Sequence, residues 1–310
     1  PMERLLITLI LVCTMNNITN AQNPFYGQYH TPHETVPFDR IETEHYEPAI
    51  LEGIRLQNAE IEAIIQNPEK ADFTNTIEAF EESGELLDRV VAVFGNMLSA
   101  ETNDDLQELA QKIMPLLSEH SNNITLNEKL FARVKEVYNQ KEALQLTQEQ
   151  KQLLENAYNS FVRHGANLEG EAREEYRRLT TELSKLTLTF SENNLKETNA
   201  YQMLLTKKES LAGLPEIIIE AAAETAKSEG KEGWAFTLHA PSYVPFMTYS
   251  DNRDLRQKLY MAYNTKCTHD NEFNNIDIVK KIANTRMKIA QLLGYKDYAE
   301  YTLKKRMAEN

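Results

Sequence analysis

The sequence is poor in glycine, proline and cysteine. Its 310 residues include 10 glycines, 10 prolines and 2 cysteines. Because tight turns depend on glycine and proline, this scarcity argues against a sheet-rich fold with many hairpins. The cysteines are Cys13 and Cys267, and Cys13 lies in an N-terminal segment that we expect to be removed. Cys267 would then be alone, which excludes an internal disulfide in the mature chain.

Positive charge is scarce as well. The chain has 33 basic against 47 acidic residues, a formal net charge of −14. A surface of this sign repels phosphate backbones, so nucleic acid is not an expected partner, and the excess of acid is best explained by solubility. Beyond residue 21 no apolar run is long enough to span a bilayer, so we expect no membrane span.

The first residues have the pattern of an export signal. Arg4 supplies positive charge, Leu5–Val12 is a short apolar run, and Thr19–Ala21 offers small residues at the −3 and −1 positions of a cleavage site. We predict a signal peptide over residues 1–21, cleaved after Ala21, and therefore an exported protein of the periplasm or cell envelope. A buried N-terminal helix is the alternative interpretation.

A polar and aromatic segment, residues 22–45, contains three of the prolines and predicts an extended N-terminal arm. From there on, apolar residues spaced by three and four predict a helical lobe over residues 46–310. The clearest stripe predicts one continuous helix face, made of Ile77, Phe80, Gly84, Leu87, Val91, Phe94 and Leu98.

Further signals extend this mainly α fold, in which helices pack on helices. Thr147 and Gln150 form a capping-box pattern for a helix that ends near Gly165. A long helix is predicted over about 170–205, with Leu179, Leu183, Leu186 and Phe190 on its core face.

One short β segment is predicted near 234–238, where apolar and other residues alternate. A loop bounded by two prolines follows, and Asp251 is the expected cap of the next helix. Two more helices, about 275–293 and 296–308, complete the predicted lobe.

No catalytic or metal-ligating residue is predicted in this chain. A zinc peptidase needs two imidazoles one helical turn apart with a carboxylate beside one of them, and the sequence contains no H-E-x-x-H. His30 and His33 have a ligand-like spacing, but the prolines around them exclude a regular helix. His239 and Tyr243, which follow the β segment, are the nearest candidates for contact with a substrate, and an edge of packed sheet is the alternative. Substrate-binding residues therefore stay unassigned.

Residue chemistry alone thus describes an exported helical protein without a visible active site, which favours a scaffold or binding module. Several collinear segments nevertheless resemble the thimet oligopeptidase family of zinc metallopeptidases, with the bacterial peptidyl-dipeptidase branch nearest and oligopeptidase A second. These segments are 73–90, 161–168, 183–190, 193–195, 211–215, 233–238, 253–256 and 292–298.

The resemblance implies a protein of two mostly helical lobes that enclose a deep channel and cleave short peptides with zinc. In that family the zinc ligands lie in the C-terminal half, so the chain is expected to be an incomplete N-terminal lobe that binds no zinc and is inactive alone. Its expected partners are short peptide substrates and the missing catalytic half. A non-catalytic, exported binding or scaffold protein derived from the same lobe is the alternative. An isolated lobe is also expected to expose an apolar seam and to dimerise or dissolve poorly.

Overall fold

The fold is mainly α-helical, as predicted, in a computed structural model that describes residues 23–308. The predicted signal peptide and Cys13 lie outside the described residues. Within them, no helix combines the length and the apolarity needed to cross a membrane. The α-helices are α1 (Thr43–Gln66), α2 (Glu85–Ala100), α3 (Asp104–Thr125), α4 (Glu128–Asn139), α5 (Gln148–Arg163), α6 (Gly170–Ala200), α7 (Glu216–Ser228), α8 (Ala240–Tyr249), α9 (Arg253–Asn264), α10 (Ile276–Leu292) and α11 (Tyr298–Leu303).

Two short strands, β1 (Gln202–Leu205) and β2 (Trp234–Thr237), pair antiparallel. Met203 lies opposite Phe236 in this ladder, and both side chains are buried. The predicted β segment is therefore confirmed, while its partner strand occupies residues that helical periodicity had assigned to the end of the long helix. Helix α6 stops at Ala200, and after Tyr201 the four residues of β1 alternate in burial and complete the ladder.

The described residues divide into two compact units. Unit 2 is Glu182–Lys288, and unit 1 comprises the described residues on either side of it. The core of unit 1 contains Phe131 and Phe161, whose rings stack with centroids 5.8 Å apart. The core of unit 2 contains Phe236 and Phe246, whose rings meet edge to face at 4.6 Å.

Side-chain caps explain where several helices of unit 1 begin. Thr147 and Gln150 form the predicted capping box, in which the Thr147 hydroxyl accepts from the Gln150 N–H at 3.2 Å. Asn103 accepts from the Leu106 N–H at 2.8 Å and thereby starts α3. Gly165, with φ of +86°, follows the end of α5 as its position predicted.

The stripe from Ile77 to Leu98 is not one helix, so that prediction was wrong. The chain runs through a π-helical turn (Phe73–Glu78) and a short α turn, and Gly84 then takes the left-handed conformation at φ +86° before α2 starts. The Gly84 N–H donates to the Glu60 carboxylate at 2.8 Å, which fixes the break. Helix α2 consequently presents a different buried set, Leu87, Val90, Val93 and Phe94.

The segment predicted as an extended arm contains three separate 3-10 turns, and α1 begins at Thr43, three residues before the predicted start of the helical lobe. Phe25 in the first turn is fully buried, and its carbonyl accepts from Arg89 at 2.8 Å. The remaining turns lie on either side of Val36 and Pro37. The three turns are Pro24–Tyr26, Pro32–Glu34 and Phe38–Arg40.

Other predicted details were also wrong. Phe190 is 38% exposed instead of lying in the core. The segment after β2 is helix α8 and not a loop, because Pro241 is tolerated in its first turn. Asn252, not Asp251, caps α9 by accepting from the Leu255 N–H at 3.1 Å. The last predicted helix ends as α11 at Leu303 instead of near residue 308.

Candidate functional site

The predicted substrate-contact residues lie where β2 passes into α8 in unit 2. His239 is exposed and occupies the N-cap position of α8 without a side-chain cap hydrogen bond. The Ser242 hydroxyl accepts from the Thr237 N–H at 3.0 Å and so ties the end of the strand to the first turn of the helix. Tyr243 therefore lies in the first turns of α8 instead of in the predicted loop.

Tyr243 belongs to a cluster of aromatic residues that joins α8 to α9, here called the tyrosine shelf (Tyr243, Tyr260 and Tyr263). The rings of Tyr243 and Tyr263 stack with centroids 4.2 Å apart and planes 19° apart. Lys266 Nζ lies 4.5 Å from the centroid of the Tyr263 ring. Tyr260 and Tyr263 are 49% and 38% exposed, so the shelf offers flat apolar area together with a cation. Burial raises the pKa of the Tyr243 hydroxyl, which therefore stays protonated at neutral pH.

Cys267 follows the shelf along the chain and carries no nucleophilic chemistry. Its side chain is 5% exposed, its φ is +57°, and its N–H donates to the Glu197 carboxylate. Burial, with a further contribution from Glu197, raises the pKa of the Cys267 thiol to about 11. His269 Nε2 lies 3.7 Å from the other Glu197 oxygen and not on the sulfur. The thiol is protonated at neutral pH, so Cys267 lacks the thiolate that a cysteine nucleophile requires.

The residues that the sequence offered for a metal do not assemble a site. His30 and His33 are both exposed, and the chain turns sharply between them, with φ of +58° at His33. Within residues 23–308, no group of three or more histidine, cysteine, aspartate or glutamate side chains has the geometry to hold a metal ion. The zinc that the resemblance implies thus finds no donor set in the part of the chain that the structure describes.

A groove of about 880 Å³ lies between α1 and α3 in unit 1. Leu51, which is 45% exposed, contributes apolar surface to it, and Lys112 Nζ pairs with Glu47 at 2.5 Å. Two of its acids lie in the first turns of the helices, where the helix dipole favours them. Sequence reasoning missed this groove because its two walls are about sixty residues apart in the chain. The carboxylates that line it belong to Glu44, Glu47, Asp105 and Glu108.

Comparison with known proteins gives consistent matches. The sequence model of the family described as Peptidase family M3 matches residues 246–310. Dipeptidyl carboxypeptidase of Escherichia coli K12 is 36% identical over 93% of the chain and 43% of its own length. Oligopeptidase A of Haemophilus influenzae is 33% identical over 88% of the chain and 41% of its own length. Oligopeptidase A of Escherichia coli K12 is 31% identical over 90% of the chain and 42% of its own length.

The matches agree with the resemblance drawn from the collinear segments. They include both of the enzyme types that those segments indicated, a dipeptidyl carboxypeptidase and oligopeptidases A. The chain spans about two fifths of the length of these relatives. Since the similarity also extends along 88% or more of the chain in each case, this chain belongs to peptidase family M3.

Proposed function

We propose that this chain is part of a zinc-dependent peptidase that hydrolyses short peptides in the manner of a peptidyl-dipeptidase or oligopeptidase. The observation that carries the proposal is the 36% identity to a dipeptidyl carboxypeptidase along 93% of the chain. Similarity of that extent covers the lobe as a whole and not a single motif. This relative is a dipeptidyl carboxypeptidase, and the same reaction is proposed for the enzyme of which this chain is a part.

The part of this chain in the proposed enzyme is to form a section of the wall of the substrate channel. The residues of the described helical lobe do not fit a catalytic zinc, so no step of hydrolysis is assigned to them. The tyrosine shelf supports the wall assignment, because stacked rings beside Lys266 give a peptide both an apolar surface and a charge to contact. The zinc would be bound by residues other than those described, and the chain alone would be inactive.

An exported location belongs to the same proposal. The positive charge of Arg4, the apolar run Leu5–Val12 and the small residues before Gln22 support a signal peptide over residues 1–21. The enzyme would then work in the periplasm or cell envelope on peptides found there.

A second candidate is a non-catalytic peptide-binding protein built from the same lobe, which the lack of a donor set among residues 23–308 favours. The test is made on the purified chain. We expect less than about 0.1 zinc per chain after dialysis and no chelator-sensitive cleavage of a blocked oligopeptide, with Escherichia coli dipeptidyl carboxypeptidase as the positive control. Chelator-sensitive cleavage by this chain would contradict its assignment as wall only.

The proposal that this chain forms part of the wall of the substrate channel is tested by peptide binding. Fluorescence anisotropy of a labelled, blocked oligopeptide is expected to detect binding, and Tyr263→Ala is expected to weaken it about 5-fold or more through loss of stacked area. Tyr249→Ala is the matched control, because Tyr249 is 52% exposed and lies outside the shelf. Equal affinity of the two variants would remove the shelf from the peptide-contacting surface. Binding by an inactive chain in which an in-frame H-E-x-x-H does not follow in the gene would favour the second candidate.

A further inference from the structure

Helix α10 has two apolar faces, and only one of them is buried. On the first face Ile282 and Ile289 are 7% and 5% exposed. The second face lies more than a quarter turn away at 100° per residue and is exposed to solvent. Its residues follow the spacing i, i+3, i+7, i+11, and we call them the α10 stripe: Ile276, Val279, Ala283 and Met287.

The exposure of the α10 stripe is continuous along the helix. Ile276, Val279 and Met287 are 40%, 48% and 41% exposed, and Ala283 is also exposed. Single exposed apolar side chains are ordinary on protein surfaces. Four in register on one face form a ridge of roughly 16 Å, the size of a helix packing contact. A helix that is apolar on two faces is typical of an element with packing partners on both sides.

The family relationship supplies a candidate for what covers the ridge. Helix α10 lies inside residues 246–310, the segment that the M3 family model matches. The chain accounts for 43% of the length of its dipeptidyl carboxypeptidase relative and 41% of that of an oligopeptidase A, so a full-length member has further chain that can pack here.

Lys280 and Arg286 flank the stripe on its two sides at 100° per residue. Lys280 Nζ pairs with the Asp277 carboxylate at 3.2 Å, so the edges of the stripe carry both signs of charge. The remaining part of the enzyme is preferred to a second copy as the occupant because the chain covers only about two fifths of the length of its relatives.

We propose that the α10 stripe is the surface on which the remaining part of the full-length M3 peptidase packs. The inference rests on the proposed function, since it requires the chain to be part of a longer enzyme. It also gives a location to the apolar seam that the sequence led us to expect. The packed surface would be apolar opposite Val279 and Ala283.

The test compares this chain alone with a fusion. In the fusion, the chain is joined in frame to the part of Escherichia coli dipeptidyl carboxypeptidase that lies outside the alignment. Val279→Cys is introduced into both proteins, together with Cys13→Ser, and the rate of maleimide labelling is measured. We expect labelling in the fusion to be at least 10-fold slower than in the chain alone. Ile217→Cys is the matched control, because Ile217 is 71% exposed on α7 and should label equally fast in both.

Each labelling result either supports or overturns the proposed occupant of the α10 stripe. The inference is supported if Val279→Cys is labelled slowly in the fusion and rapidly in the isolated chain. Labelling of the isolated chain that slows with its own concentration identifies a second copy as the occupant and overturns it. Equal rates in the fusion and the chain, whether or not the fusion is well folded, also overturn it.

Peptide hydrolysis by the fusion separates this failure from failure of the proposed function. A fusion that cleaves a blocked oligopeptide with chelator sensitivity but labels rapidly leaves the proposed function standing while the inference fails. An inactive fusion that labels rapidly counts against both. As an independent check, Val279→Lys with Met287→Lys is expected to lower the Tm of the fusion by several degrees and to leave the chain alone within about one degree.

Discussion

His120 is a buried imidazole at the centre of a polar contact between helices of unit 1. Its side chain is 6% exposed, and Nε2 lies 2.7 Å from Gln57 Oε1. The Gln57 amide in turn donates to the Ser83 carbonyl at 3.3 Å. Burial lowers the pKa of His120 because a charged imidazolium loses hydration inside the protein. The folded state therefore favours the neutral imidazole. Protonation of His120 at acidic pH is expected to destabilise the folded chain.

We predict that His120 makes the folded chain less stable below about pH 6.5, the ordinary histidine value. With the folded-state pKa lowered, the unfolded chain binds the proton first as the pH falls. The free energy of unfolding then declines by up to about 1.4 kcal/mol per pH unit until the folded-state pKa is reached. His120→Gln retains a donor for Gln57 but does not titrate, so urea unfolding at pH 7.5 and 5.0 should show a smaller loss in this variant. If the free energy of unfolding falls equally in both proteins between pH 7.5 and 5.0, His120 is not responsible for the acid sensitivity.

At the scale of single residues, the sequence reveals contacts that are local in the chain. The Thr147–Gln150 capping box was predictable because its two partners lie three positions apart. The His120–Gln57 contact joins residues 63 positions apart, and a lone histidine in a helical stripe gives no sign of it. Tyr243 was found from its place after a strand, whereas its stacking on Tyr263 depends on how α8 and α9 pack.

At the scale of the elements, helices α1 and α2 approach each other closely at Gly53. A Cβ atom at Gly53 would lie 2.8 Å from Leu87 Cα and 2.9 Å from Leu87 N, so only glycine permits this distance between the two backbones. Gly53 and Leu87 are both buried. The left-handed Gly84 directs α2 so that Leu87 packs on Gly53. This explains why the stripe predicted as one helix contains a glycine at position 84.

We predict that Gly53→Ala lowers the free energy of unfolding by about 1–3 kcal/mol, because the added methyl group meets backbone atoms that move only with their helix. The matched control is Gly95→Ala in the interior of α2, where an added Cβ meets nothing within 4 Å. That variant should raise the free energy of unfolding by up to about 1 kcal/mol through helix propensity alone. Urea denaturation followed by circular dichroism measures both. A harmless Gly53→Ala would mean that the two helices separate easily.

Hydrophobic spacing predicted the helical architecture, but it did not predict where a helix ends and a strand begins, or where a proline lies within a helix. Residues 202–205 continue an apolar pattern after α6, and only their pairing with β2, about thirty residues later, makes them a strand. Leu204 is 41% exposed because alternation in a strand replaces the helical face. The same limit applies to α8, where Pro241 and Pro245 indicated a loop although both lie within a helix. Pairing with a distant strand therefore accounts for the first error, and the place of Pro241 in the first turn of α8 contributes to the second.

At the scale of the whole molecule, each of the two units of residues 23–308 has a buried apolar core of its own. Unit 1 has a core around Phe161, which is 1% exposed, and unit 2 has one around Phe246, which is fully buried. Each core is large enough to cooperate internally, and regions with separate cores open with separate free energies. The proposed role of the chain as a wall depends on unit 2, because the tyrosine shelf and most of α10 belong to it.

We predict that the two cores lose stability independently. Phe246→Ala should cost about 3–5 kcal/mol locally, because it leaves a cavity where a buried ring packs edge to face on Phe236. Native-state hydrogen exchange should then quicken in peptides from β1, β2 and α9, while peptides from α4 and α5 keep the rates of the parent chain. Phe161→Ala is the reciprocal control and should quicken α4 and α5 alone. If either substitution quickens both sets alike, the two units unfold as one, and the shelf of unit 2 owes its rigidity to the entire lobe.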